Sequence, residues 1–267
     1  MMRRMLVLCL FLAAVTALCT ACGNNNLLDG AENNLQLYRW DGEQTLRYWV
    51  CNEDAAPVIR ALRQNKAKAV ENWSVEQADT PCYGLEISTA DGWGIQALWT
   101  NGYWIDQEGQ VWNFDFDFEQ LIRETRWTKA EAPSDFRALS CIRYLAQNGE
   151  RWNTEYLESA PEDEPPADIS MTNLQKAGEC LTVTLTNDSA TEWTYGRYWH
   201  FEVLAEDHWY IVPELPGNWA FTDLGYLLPS GENRTEIFYL RENTYGDLPP
   251  GQYRLVFYGM TVEFTLE

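Results

Sequence analysis

Oxygen-bearing side chains recur at every second position in Asn113, Asp115, Asp117 and Glu119, with Phe114, Phe116 and Phe118 between them. On a strand this alternation places the acids on one face, where a hard cation such as Ca²⁺ takes oxygen ligands. The spacing is not that of an EF-hand loop. Counted from Asp115, no glycine stands at the sixth position and Arg126 occupies the twelfth. At a helix start the same residues read differently: the phenylalanines enter a core, and the acids sit where the helix dipole favours them. That reading is preferred, and no metal is expected. Gly92-Trp93-Gly94-Ile95-Gln96-Ala97 spells GxGxxA, but a dinucleotide site needs a helix after the glycines, and Gly94–Trp99 alternates as a strand. No cofactor is expected. A serine nucleophile finds no GxSxG elbow, and His200 and His208 are the only histidines, both in the last third. In a chain with 40 Asp and Glu a glycosidase-type carboxylate pair cannot be assigned from sequence. No catalytic residue is expected.

The sulfur chemistry divides in two. Cys51, Cys82, Cys141 and Cys180 form no CxxC pair, which argues against zinc. Outside the cytoplasm they allow three pairings. Cys51 with Cys82 or Cys141 is the pairing expected if one forms, with free buried thiols as the alternative. Cys22 belongs to another pattern. Arg3 and Arg4 precede an apolar run from Met5 to Leu18, the layout of a secretory signal over residues 1–21. Thr20-Ala21-Cys22-Gly23 resembles a bacterial lipobox, with Cys19 where leucine is usual. The resemblance implies cleavage before Cys22 and a diacylglycerol on its thiol. The chain is then lipid-anchored to the outer face of the cytoplasmic membrane, and polar residues 22–34 read as a flexible tether.

Charge narrows the partners. The chain has 19 Lys and Arg against 40 Asp and Glu, a net charge of −21. The signal holds two arginines and no acid, so its removal makes the chain more acidic still. Such a surplus repels phosphate backbones, and no nucleic-acid partner is expected. Thirteen tryptophans suit either a core or a sugar-stacking surface. Most alternate with polar residues in strand-like runs, which assigns the majority to the core.

Glu158 to Pro166 holds three prolines and four acids among nine residues. It reads as a stiff linker over residues 158–168, with separate cores before and after it. In residues 35–157, Leu46–Cys51, Tyr83–Ser88, Gly94–Trp99 and Gln110–Phe114 read as strands, with turns at Asp91-Gly92, Asn101-Gly102 and Glu108-Gly109. Helices are expected after Asp54, over Phe116–Trp127 with Glu119 facing Arg123, and over Asp135–Gln147 capped by Ser134, the last with a strand as the alternative because Ile142, Tyr144 and Leu145 suit either. The expected fold is α+β, an antiparallel sheet with helices on one face. Residues 169–267 are purely β. Leu181, Val183 and Leu185 alternate with threonines, and later strands are expected at Arg197–Leu204, His208–Val212, Arg234–Leu240, Gly251–Tyr258 and Thr261–Glu267. A type II′ turn at Gly259-Met260 joins the last two.

Tyr195-Gly196, Phe201-Glu202-Val203, Trp209, Leu228-Pro229-Ser230-Gly231 and Tyr245 to Arg254 resemble the bacterial immunoglobulin-like domains at the C-termini of Gram-positive surface lipoproteins. The resemblance implies a β-sandwich over residues 169–267, with Tyr253 as a tyrosine corner after Pro249-Pro250-Gly251. It implies no activity, because sandwiches host many roles. The expected role is a non-enzymatic binding or scaffolding module whose partner is a surface protein or a glycan. Glycan or cell-wall binding would show as two or three coplanar exposed tryptophans. A hydrolase would show as a deep polar pocket in residues 35–155.

Overall fold

In strand β1 (Ala31–Trp40), Leu35 and Leu37 point to one side, Tyr38 and Trp40 to the other, and all four are buried. A strand apolar on both faces belongs inside a sheet covered on both sides. It lies there in the computed structural model, which describes residues 27–89, 94–131, 136–217 and 224–267. The other strands of this sheet are β2 (Thr45–Cys51), β3 (Lys68–Ala69), β4 (Cys82–Thr89), β5 (Gly94–Thr100), β6 (Tyr103–Ile105), β7 (Val111–Asn113) and β8 (Thr128–Glu131). They run antiparallel in the order β3-β7-β6-β5-β4-β1-β2-β8.

One face of the sheet packs Leu35, Leu37, Tyr83, Leu85, Ala97 and Trp104 against helices α1 (Ala55–Gln64) and α2 (Phe118–Glu124). Helix α1 buries the expected stripe of Val58, Ile59 and Leu62, but Asp54 makes no side-chain cap, because a 3₁₀ turn at Asn52–Asp54 already leads into it. Helix α2 is shorter than expected. It starts where Asp117 Oδ1 accepts the Gln120 N–H at 2.7 Å, capping an orphan donor of the first turn.

The opposite face corrects the third expected helix. Residues 136–148 break into 3₁₀ turns at Phe136–Ala138 and Ser140–Ile142, a short helix α3 (Arg143–Ala146) and strand β9 (Gln147–Asn148), which pairs with β10 (Arg151–Trp152). Phe136, Leu139, Cys141, Ile142, Leu145 and Ala146 are all buried. Apolar residues so closely spaced need cover on every side, and an amphipathic helix offers one stripe. Against this segment β4 presents Gly84, where a Cβ would collide with Leu139 Cδ1. The helical pieces therefore cover both faces of the sheet, where one was expected.

The tether also ends earlier than its sequence indicates. Leu28 and Ala31 are buried, and the Arg63 guanidinium donates to both of their carbonyls, at 2.9 and 3.0 Å. Two leucines in a polar stretch suffice to dock it on α1.

The C-terminal strands are β11 (Ile169–Ala177), β12 (Cys180–Asn187), β13 (Trp193–Tyr195), β14 (His200–Ala205), β15 (His208–Ile211), β16 (Tyr226–Leu228), β17 (Asn233–Tyr239), β18 (Gly251–Phe257) and β19 (Met260–Leu266), with helix α4 (Glu242–Tyr245) before the last two. Sheet β11-β12-β17 and sheet β15-β14-β18-β19 share a core, and β13 pairs with β16 beside them. Leu181, Val183 and Leu185 enter that core with Phe201, Val203, Leu255 and Phe257, as their alternation predicts. The last hairpin differs by one residue from expectation. Phe257 pairs with Met260, so the turn is Tyr258-Gly259, both at positive φ as a type I′ turn requires. Gly259 is needed twice over, since a Cβ there would lie 2.9 Å from the Glu164 carbonyl carbon.

That contact belongs to the acidic, proline-rich segment, which is not a free spacer. Ile211 N–H donates to Glu158 O at 2.9 Å, Ala160 N–H donates to Trp209 O at 3.0 Å, and Ser159 bridges antiparallel to Tyr210. Residues 158–160 thus cover the edge strand β15, an edge that would otherwise offer unpaired backbone groups. Nor do the cores separate at this segment. Trp40, Ile142, Leu145 and Leu157 belong to the same apolar cluster as Val183, Tyr245, Tyr253 and Phe264. All four described cysteines outside the signal are free, so no pairing of Cys51 forms. Among the described residues no helix is long and apolar enough to cross a membrane.

Candidate functional site

Cys22, the expected lipid-attachment residue, lies outside the described residues. The acid-rich run, which does not, is taken apart by the fold. Asn113 ends β7, Asp117 caps α2, and Glu119, besides lying near Arg123, accepts Arg39 Nε–H and the Tyr83 hydroxyl, each at 2.7 Å. Among the described residues no group of three or more Asp, Glu, His and Cys is arranged to hold a metal ion. Asp79, Tyr83, Trp99, Asp115, Asp117 and Glu119 line an open cleft of about 530 Å³. Its best-placed carboxylate is unsuited to proton donation. The Tyr83 hydroxyl and then Arg39 hold Glu119 below its ordinary value of 4.5.

A folded-state pKa lowered in this way stabilises the fold above pH 4.5, and that contribution is lost as pH falls through the lowered value. Glu119 is partly solvated, so the effect is about 1 kcal/mol or less. Glu119→Gln is expected to lower the urea midpoint at pH 7 and to lie closer to wild type at pH 3. Parallel midpoint curves for the two proteins over this range would show that the Arg39–Glu119–Tyr83 contact contributes nothing.

The two histidines are structurally engaged. His200 Nε2 lies 2.9 Å from Glu202 Oε1, and Glu202, itself buried, also accepts from Arg254 Nε. His208 Nδ1 lies 2.9 Å from Glu206 O in the turn before β15.

Sequence reasoning passed over the uncovered half of the N-terminal sheet. Register places Trp49 (β2) beside Gln36 (β1), Gln36 beside Glu86 (β4), and Glu86 beside Gln96 (β5). Residues opposite one another share a face, and it is the face that carries Tyr38, Trp40 and Cys82 further along. There Phe136 and Leu139 cover it; at Gln36 nothing among the described residues does. The row spans three strand spacings, about 14 Å. Beneath it the Tyr38 hydroxyl donates to Glu86 Oε2 at 3.1 Å and lies 3.3 Å from Gln36 Oε1, and Gln96 Nε2 donates to Glu86 Oε1 at 3.4 Å. The side chains of Gln36, Glu86 and Gln96 are therefore tied to one another through Tyr38. Arg47 and Ser88 extend the row into a shallow shelf of about 480 Å³. Arg47 Nε and Gln96 Oε1 are buried atoms without a hydrogen-bond partner. At one end stands Trp49, 38% exposed and the only tryptophan so exposed among the described residues. The coplanar set of exposed tryptophans expected of a sugar surface is absent among them, and a single indole beside a polar row stands instead.

The signal for this shelf is readable in retrospect. Gln36, Glu86 and Gln96 are single polar residues between apolar ones, in Leu35-Gln36-Leu37, Leu85-Glu86-Ile87 and Ile95-Gln96-Ala97.

Two sheets around one core, linked through a buried corner tyrosine whose hydroxyl donates to Pro249 O at 2.6 Å, define the C-terminal part as an immunoglobulin-like sandwich. Residues 165–265 match the family described as bacterial Ig-like domain, and the chain carries such a domain there. Neither the curated proteins nor the solved structures contain a match to the chain.

Proposed function

We propose that this chain is a bacterial surface lipoprotein, anchored through a diacylglycerol on Cys22 to the outer face of the cytoplasmic membrane, and that it acts by binding rather than by catalysis. In this reading residues 35–157 are an α+β domain that carries the ligand face, and the immunoglobulin-like domain is the platform on which it is mounted. The supporting observation is the division of one sheet face. Half is buried under residues 136–146, and half displays the hydrogen-bonded row of Gln36, Glu86 and Gln96 with Trp49 at its end. A face whose polar groups are held in place by buried partners is suited to recognition, because little ordering entropy remains to be lost on binding.

The anchor is tested in the native cell type. Cys22→Ala is expected to abolish labelling by a fatty-acid probe and to move the protein out of the membrane fraction or leave it unprocessed. A variant that labels and fractionates like wild type would show that the anchor is elsewhere.

A further inference from the structure

We infer that the shelf on the N-terminal sheet binds a neutral oligosaccharide, lying along the row from Trp49 to Gln96; this rests on the proposal that the shelf is the ligand face. The chemistry of the row excludes the other common classes one at a time. An extended peptide adds to a sheet through unpaired backbone, at an edge. The shelf lies instead on β2, β1, β4 and β5, each paired to neighbours on both sides. A polyanion would meet Glu86 and a chain of net charge −21, with Arg47 as the sole cation lining the shelf among the described residues. Among the described residues a cation would find one carboxylate on the shelf, and both oxygens of Glu86 already accept hydrogen bonds, from Tyr38 and Gln96. An apolar ligand would find Trp49, since Ile87 is buried on the opposite face of β4, but would strip water from the amides of Asn34, Gln36 and Gln96, a carboxylate and a guanidinium without replacing their hydrogen bonds.

A sugar matches what remains. The C–H face of a pyranose ring is apolar and lies flat on an indole, and Trp49 presents that surface beside the row. Ring hydroxyls both donate and accept. Planar amides and carboxylates offer paired donors and acceptors at fixed spacing. The amides of Asn34, Gln36 and Gln96 and the Ser88 hydroxyl line the shelf and supply donors and acceptors for the ring hydroxyls. The row, at about 14 Å, is longer than a single ring, which points to an oligomer with one ring on Trp49 and the others over Gln36, Glu86 and Gln96. The shelf is shallow and open, as suits binding to the side of a chain rather than enclosure of a small metabolite.

The test titrates the full-length chain by calorimetry with cellotetraose, chitotetraose and mannotetraose, with their disaccharides, and with tetragalacturonate and pentaglycine as acidic and peptidic probes. At least one neutral tetrasaccharide is expected to bind saturably. Trp49→Ala is expected to weaken it tenfold or more, and Trp49→Tyr less, because a ring remains for stacking. Gln96→Ala is expected to weaken the tetrasaccharide several-fold while leaving the disaccharide unchanged, since only the longer ligand reaches the far end. Circular dichroism of each variant separates lost binding from lost folding, and the exposed position of Trp49 predicts a folded Trp49→Ala. Trp49-dependent binding of tetragalacturonate or pentaglycine, with no neutral sugar bound, would overturn the sugar assignment while leaving the shelf as the ligand face. Binding that survives Trp49→Ala unchanged, or no binding by any probe, would overturn both.

Discussion

Tyr253→Ala is expected to destabilise the protein by about 4 kcal/mol or more, the largest effect of any single substitution considered. Emptying a buried aromatic site alone costs about 3–5 kcal/mol. Tyr253 is fully buried and stacks on Phe264 with ring centroids 5.8 Å apart. Its hydroxyl serves two partners. It donates to Pro249 O at 2.6 Å, closing the corner, and accepts from Trp152 Nε1 at 3.0 Å, a residue on the other side of the acidic segment. Burial pushes the hydroxyl up to about 12, so it stays protonated and able to donate across the physiological range. Tyr253→Phe keeps the ring and strands both partners, the buried Pro249 carbonyl and the partly buried Trp152 indole, for a cost of about 2 kcal/mol. Sequence alone, which shows only the corner bond, argues for about half that. Arg254 is no neutral comparison, because it bonds the buried Glu202 and lies over the Trp209 ring at 4.3 Å. The exposed Gln252 is the proper control. Urea denaturation of Tyr253→Ala, Tyr253→Phe and Gln252→Ala ranks the three, and a Tyr253→Phe midpoint equal to that of Gln252→Ala would mean that neither hydroxyl bond contributes.

The corner was legible because its chemistry is local: Pro249-Pro250-Gly251 sets the turn, and alternation through Tyr253, Leu255 and Phe257 sets the face. The same holds for β12, where threonines mark the outer side of every apolar residue. Legibility fails where two layers meet. Strand β1 has no clean alternation because Leu35 and Leu37 are buried on one face and Tyr38 and Trp40 on the other, and its polar start, Glu32-Asn33-Asn34, reads as tether. Residues 136–148 have helix-compatible composition, yet they fill the space between a sheet and a sandwich, and tertiary packing overrides the propensity. The shelf was illegible for a related reason. Trp49 in a run of Leu46-Arg47-Tyr48-Trp49-Val50 reads as a core residue. Only the pairing of four strands, which sequence does not give, shows that it stands with Gln36, Glu86 and Gln96 at the uncovered end of the face.

A fragment beginning at Asp168 is expected to be less stable than the same residues within the intact chain, by about 3 kcal/mol or more. Proline and acid composition argues for two cores joined by a spacer, but the contacts across that segment are specific and buried. Arg143, 3% exposed, donates from Nη2 to Asp247 O at 3.0 Å and lies 4.6 Å over the Trp152 ring. Burial lowers its pKa to about 10, which still leaves it charged at neutral pH and in need of those partners. Gln147 Nε2 donates to the same Asp247 carbonyl at 3.0 Å. Removing residues 1–167 strips these donors, the Trp152 bond to Tyr253, the edge cover of residues 158–160, and the apolar contacts of Leu157. Re-exposing even one or two large apolar side chains costs about 1.5–3 kcal/mol each, and the loss of edge cover adds to this. For a domain of this size 3 kcal/mol lowers Tm by about 12–24 °C. The intact chain is expected to unfold in one transition when followed by tryptophan fluorescence and by far-ultraviolet circular dichroism. A chain cleaved between Pro161 and Pro166 after folding is expected to keep its two pieces together through gel filtration, since the interface rather than the peptide link holds them. Two separate transitions in the intact chain, or a fragment as stable as the whole, would show that the immunoglobulin-like domain stands alone and that Arg143 and Trp152 only rest against it.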